Sequence, residues 1–150
     1  SDSIAFLRSK LRNDFVQKEA SGLVIHARGG DFLQDSLSHD HQMKFYEHAL
    51  TQSRLNDFSS GKLCCSDAQY ADQIIKFFET KGIILSHREQ IDSKWETDFK
   101  LLINAELIVG SRSTFAWWAS LLGRVECMFP SDFNIGVKRK LYHPWEIKCV

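Results

Sequence analysis

Leu107-Ile108-Val109-Gly110-Ser111-Arg112-Ser113-Thr114-Phe115-Ala116-Trp117-Trp118-Ala119-Ser120-Leu121-Leu122 reads as a strand, a turn of small residues and an apolar helix, with Gly123 as its stop. The strand is apolar without alternation, so both of its faces are predicted to be covered. Only crossover helices cover both sides of a sheet, and they go with parallel strands. The same rhythm extends outward in both directions. Strands are predicted at Leu23–Arg28, Lys62–Ser66, Gly82–Ser86 and Val125–Phe129, the first followed by Gly29-Gly30 and the last by Pro130. Helices are predicted over Ile4–Phe15, Gln42–Ser53, Ala68–Lys81 and Thr97–Ala105. Met43, Tyr46, Ala49 and Leu50 share a face in the second. Ala68, Ala71, Ile75 and Phe78 form the stripe of the third, which Gly82 stops. Short strands alternating with helices predict an α/β fold, a Rossmann-like doubly wound parallel sheet. The 150 residues read as one domain without repeats or linkers, with an irregular tail from Ser131 that ends in Tyr142-His143-Pro144-Trp145.

Composition narrows the function classes. Apolar residues make up 43% and charged ones 25% of the chain, which suits a globular domain and excludes intrinsic disorder. Nineteen Lys and Arg balance nineteen Asp and Glu, so binding nucleic acid or acidic membrane through bulk positive charge is excluded. No apolar run approaches the roughly 20 residues of a membrane span, so direct membrane insertion is not expected. Ser1–Arg12 carries basic residues but no apolar core of a signal peptide. Cys64 and Cys65 are neighbours on a strand and point to opposite faces, which is poor geometry for bridging each other. With Cys127 and Cys149 they form no CxxC pair, and buried thiols in a reducing compartment are expected. The chain is thus read as cytoplasmic, at most peripheral to a membrane. The alternative is the Golgi lumen, as part of a longer anchored chain.

Ligands of such sheets bind beyond the carboxyl ends of the strands. Four loops fall there: His26–Asp31, Ser66-Asp67, Trp95–Asp98 and Gly110–Thr114. The last suits an anion. Small residues let the backbone approach, and Ser113 or Thr114 either caps the helix or offers a hydroxyl beside its unpaired N–H groups. Arg28 supplies a guanidinium able to fork onto phosphate. Asp98 either opposes a helix dipole or accepts from a guanine edge. His26 is either a hydrogen-bonded core residue or a ligand contact, and Asp67 either caps a helix or meets a ribose. His39, His41 and His48 lie close in sequence but lack further ligands, and no metal site is expected. Trp117-Trp118 should be mostly core. Lys138-Arg139-Lys140 is a basic cluster, either solvated or facing a diphosphate. Neither GxGxxG nor the P-loop pattern occurs.

Three of these segments together resemble the GDP-fucose-using fucosyltransferases, most of all the α-1,2-fucosyltransferases. That family carries a strand ending His-x-Arg-Arg-Gly-Asp, matched by His26-Ala27-Arg28-Gly29-Gly30-Asp31. Its Phe-Ser-Asp-Asp segment is matched by Cys65-Ser66-Asp67. Its Ser-x-Phe-Ser-Trp-Trp-x-x-x-Leu motif is matched by Ser113-Thr114-Phe115-Ala116-Trp117-Trp118 and the residues to Leu122. The likeness runs from about Leu23 to Pro130 in the right order.

The resemblance implies the C-terminal half of a GT-B glycosyltransferase, binding GDP-fucose as donor and working with a glycan acceptor. It places Arg28 on the diphosphate as the catalytic residue, His26 and Asp98 on guanine or ribose, and Ser113, Thr114 and Phe115 on phosphate oxygens. Asp31, Ser66 and Asp67 join the substrate-binding set, with a structural role preferred for Asp31. Transfer would be inverting and need neither metal nor cofactor. The chain departs from the family at Gly29, where the second arginine is missing, and in length, which leaves no room for an acceptor-binding half; that half is expected upstream of Ser1. A non-catalytic nucleotide-binding or protein-interaction module is the competing reading. A flavodoxin-like receiver is disfavoured because strand 23–28 ends in His and Arg rather than acids.

Overall fold

In a computed structural model, the described residues are 2–15, 20–29, 36–87, 95–130 and 147–149. Along the chain they form α1 (Asp2–Phe15), β1 (Leu23–Ala27), α2 (Ser36–Ala49), a 3-10 turn (Ser53–Asp57), β2 (Ser60–Cys65) and α3 (Ala68–Glu79). There follow β3 (Ile84–His87), α4 (Trp95–Ile103), β4 (Leu107–Gly110), α5 (Thr114–Gly123), β5 (Glu126–Phe129) and β6 (Ile147–Cys149). All strand pairs are parallel, as expected of a doubly wound sheet, and the order is β3-β2-β1-β4-β5-β6, a Rossmann order. Winding reverses between β1 and β4, where Leu23 pairs with Leu107 and His26 with Gly110.

Strand periodicity sorts the core into two layers. Leu23, Ile25, Leu63, Leu85 and Val109 face Tyr46, Ala49, Ile74 and Phe78 of α2 and α3. Val24, Cys64, Ile108 and Cys127 face Phe99, Leu102, Ala116 and Leu121 of α4 and α5. Cys65 lies in the first layer and Cys64 in the second, so the adjacent thiols do point to opposite faces. Cys64, Cys65 and Cys127 are all buried thiols. The end of α1 is held to the second layer: the Phe15 ring meets Phe99 edge-on at 6.0 Å, and Asn104 donates to the Phe15 carbonyl at 2.8 Å. Among the described residues no helix is long and apolar enough to cross a membrane.

Several expectations shift on the structure. α2 begins at Ser36 rather than Gln42 and ends at Ala49 rather than Ser53. Its polar first turns need no apolar stripe, and its end is set by tight bonds from the Thr51 and Gln52 N–H groups to His48 and Ala49. The buried face of α3 is Tyr70, Ala71, Ile74 and Phe78. The larger Tyr70 takes the core position of the first turn, leaving Ala68 exposed and Ile75 half-buried. Gly82 does terminate that helix: it is left-handed (φ +83°), and the N–H of Ile83 reaches back to the Phe78 carbonyl. Gly123 is not the left-handed stop of α5. Arg124 takes that role (φ 56°), while a β-carbon on Gly123 would sit 2.4 Å from the Ile103 carbonyl oxygen, so this glycine permits α5 to pack on the end of α4. Trp117 is core, but Trp118 is 42% exposed. β6 replaces part of the irregular tail; three residues give no readable period. The 138–140 cluster and residues 142–145 lie outside the described residues.

Candidate functional site

The loops that follow β1 and β4 diverge at the point where the winding reverses, and a cavity of about 400 Å³ opens between them. His26, Arg28 and Gly29 come to it from the end of β1. Cys64, Cys65 and Ser66 come from the end of β2, Asp98 from the first turn of α4, and Ser113, Thr114 and Phe115 from the start of α5. Residues separated by up to 89 positions in the chain are thereby gathered around one space. Of the nine site residues read from the sequence, seven line it: His26, Arg28, Ser66, Asp98, Ser113, Thr114 and Phe115. Asp31 lies outside the described residues. Asp67 does not line the cavity; one carboxylate oxygen accepts from the Tyr70 N–H at 2.9 Å and caps α3.

Ser113 stands at the N-cap of α5, yet its side chain makes no capping hydrogen bond. Its carbonyl accepts from Trp117, as an N-cap carbonyl should. The first N–H groups of the helix, with their share of its positive dipole, are therefore not consumed by a side-chain cap where they adjoin the cavity. Beside them Phe115 packs its ring on Phe99 (5.2 Å between centroids) and on His26 (5.9 Å). This aromatic seam fixes the imidazole's tilt against the α5 terminus.

Ser111, which sequence reasoning passed over, ties the two loops together. It is fully buried. Its N–H donates to the His26 carbonyl at 2.9 Å, and its Oγ accepts from the Arg28 N–H at 3.1 Å. The same Oγ lies 3.3 Å from His26 Nδ1. With Oγ already accepting, its own proton is best directed at Nδ1, which leaves Nε2–H as the donor of the ring. Nothing in the spacing of Gly110–Thr114 separates Ser111 from Ser113; only the pairing of His26 with Gly110 brings the former to the imidazole.

Burial first, and the neighbouring Arg28 charge second, push the His26 pKa from 6.5 down to about 4, against a smaller opposing backbone hydrogen bond. The ring is neutral at pH 7 and acts as a neutral donor. Between those two pKa values the unfolded chain binds the extra proton and the folded chain does not, so stability falls as pH drops from about 6.5 toward 4. Because the ring keeps some contact with solvent, the expected loss between pH 7.5 and 4.5 is about 2 kcal/mol. Urea unfolding of the protein and of His26→Gln at both pH values checks this: the gap between the two should change by that amount. Parallel pH profiles would show that His26 is not buried neutral.

His39 and His41, which precede the helix predicted from Gln42, lie with His48 on α2. His39 Nε2 is 2.9 Å from Gln73 Oε1, and His41 Nδ1 is 3.5 Å from Arg112 Nη2. Among the described residues no three His, Cys, Asp or Glu side chains are grouped so as to hold a metal.

No protein-family model and no curated protein matches this chain. Solved structures do. The chain is similar to POFUT1 in complex with GDP, with a TM-score of 0.52 and 14% identity over 86% of this chain and 46% of that one. It is also similar to POFUT1 in complex with GDP-fucose, with a TM-score of 0.49 and 15% identity over 83% and 42%. At such identities the first likeness speaks to the fold. The chain spans less than half the length of those proteins.

Proposed function

We propose that this chain is the donor-binding domain of a fucosyltransferase, holding GDP-fucose in the cavity at the β1–β4 switch. The observation that carries the reading is the meeting of His26, Arg28, Asp98 and the Ser113–Phe115 turn around one cavity. Those residues come from the segments whose sequence resembles the family, and the fold is similar to that of a protein solved with GDP. In this reading the diphosphate lies at the α5 N-terminus with Arg28 forked onto its oxygens. The Asp98 carboxylate accepts the N1–H and N2–H₂ donors of guanine, and the neutral His26 ring donates beside it.

Chemistry at the sugar breaks the bond to the diphosphate and leaves an additional negative charge on GDP. Arg28 and the helix dipole are oriented toward that charge before it forms, which is what electrostatic stabilisation without a metal requires. The acceptor hydroxyl attacks from the opposite side, turning the β-linked donor into an α-linked product of the α-1,2 type. A general base and the acceptor pocket belong to the other half of a GT-B enzyme, supplied by chain outside these residues.

Isothermal titration with GDP, ADP and UDP in the presence of a chelator tests the reading. GDP should bind at least about tenfold more tightly than the others, because a site built to pair with a donor edge penalises bases that lack it. Equal binding of all three would remove Asp98 and His26 from base recognition. Failure of the folded protein to bind GDP would sink the donor-site reading.

A further inference from the structure

We propose that Ser111 is a positioning residue of this site: its hydroxyl holds the His26 ring as a donor through Nε2, and that fixed polarity makes the cavity prefer guanine to adenine. The inference rests on the donor-site reading above and names what sets its base selectivity.

Ser111 lies behind the cavity wall, fully buried, and is held on both sides. Before it, Gly110 stands so close to the Phe129 ring that a β-carbon there would be 2.3 Å from it. Its own N–H donates to the His26 carbonyl at 2.9 Å, and its carbonyl accepts from the Ser113 N–H at 2.7 Å. The hydroxyl on this fixed backbone meets two groups among the described residues, the Arg28 N–H at 3.1 Å and His26 Nδ1 at 3.3 Å. The first is always a donor, so Nδ1 decides where the hydroxyl proton goes. Were Nδ1 protonated, Oγ would receive two donors and its own proton would be buried without an acceptor, which buried hydroxyls avoid. The His26 carbonyl, the ring's other neighbouring acceptor, already takes the Ser111 N–H. Nδ1 therefore accepts, and the proton of the neutral ring is on Nε2. The ring lines the cavity and packs on Phe115 at 5.9 Å. With Nδ1 turned to the buried serine, Nε2–H is the group left for a ligand.

Guanine and adenine are opposites along the edge such a donor would read. Guanine has the O6 acceptor where adenine has its amino donor, and N1–H where adenine has a lone pair. A ring fixed as a donor beside the Asp98 carboxylate suits the first pattern and opposes the second. An imidazole free to move its proton between nitrogens could offer Nε2 as an acceptor to the adenine amino group, and the discrimination would be lost.

Nitrogen NMR of histidine-labelled protein reads the tautomer directly, with the His26 signals identified by their loss in His26→Gln. At pH 7 without nucleotide, the proton should be on Nε2 in the unsubstituted protein and shared between both nitrogens in Ser111→Ala. Titration with GDP and ADP is the second readout. Ser111→Ala should weaken GDP about tenfold and ADP less than about twofold, so that the preference for guanine collapses, while Ser111→Thr, which keeps the hydroxyl, retains it. A merely structural role would lower the melting temperature and weaken both nucleotides alike with the tautomer unchanged, which overturns the proposal. A proton on Nδ1 in the unsubstituted protein overturns it too, and that measurement stands even where the variants at position 111 fail to fold. An unchanged ratio of GDP to ADP affinity in Ser111→Ala overturns it while leaving the donor site standing. Absence of GDP binding by the unsubstituted protein overturns both.

Discussion

Arg28→Ala is expected to weaken GDP binding several-hundredfold, about 3.5 kcal/mol, with a melting temperature within a degree or two of the original. The two halves of that expectation have separate causes. Arg28 is exposed at the end of β1, and its backbone, not its side chain, is what Ser111 grips at 3.1 Å. Truncating an exposed side chain changes stability by about 0.5 kcal/mol or less. The ligand, by contrast, loses a forked, charge-assisted contact in a partly enclosed space, and removal of one partner of such a pair typically costs 2–5 kcal/mol. It also loses the wall's only formal positive charge among the residues described around the cavity. Arg28→Lys keeps the charge without the fork and should fall between the two. Titration at low and at physiological salt checks this, since a charge contact weakens as salt rises. GDP affinity unchanged in Arg28→Ala would remove the arginine from the site.

How far the sequence reaches is visible in particular residues. β1, β2 and β4 were legible because each is a short apolar run bounded by glycine or polar residues, and α3 because Asp67 and Gly82 mark its ends. Alternation alone placed Cys64 and Cys65 on opposite faces. The cavity residues were legible as types in loops at carboxyl ends, and as segments resembling known motifs. What was not legible depends on neighbours. The switch between β1 and β4 is a choice of partner strand, which no local pattern encodes. Ser111 acquires its role only when β4 registers against β1, and Tyr70 displaces Ala68 from the core only once α2 presents Tyr46 to it. The left-handed Arg124 is likewise set by the packing of Gly123 on Ile103, against the ordinary preference for glycine at that position.

Gly29→Arg, which would restore the second arginine of the resembled motif, is expected to destabilise the protein by about 4 kcal/mol without tightening GDP. The reason lies in the first atom of the new side chain. A β-carbon at position 29 would stand 2.5 Å from Asp67 Cβ and 3.3 Å from its backbone nitrogen. Asp67 cannot yield cheaply, because its carboxylate caps Tyr70 at 2.9 Å and its carbonyl accepts from Ala71 at 2.8 Å. Overpacking of this kind costs about 1–3 kcal/mol, and a displaced cap adds about 1. For a chain of this size that is a fall of roughly 8–16 °C in melting temperature. Gly29→Ala should already show most of the loss, since the clash begins at the β-carbon and not at the guanidinium. The cause can be isolated in a double-mutant cycle: in an Asp67→Gly background, which lacks the opposing β-carbon, Gly29→Ala should cost less than about 1 kcal/mol. A Gly29→Arg protein that melts normally and binds GDP more tightly would show instead that the loop has room for the charge. Additive costs in the cycle would show that Asp67 is not the obstacle. The expected coupling makes Gly29 a packing requirement of the β1 and β2 loops.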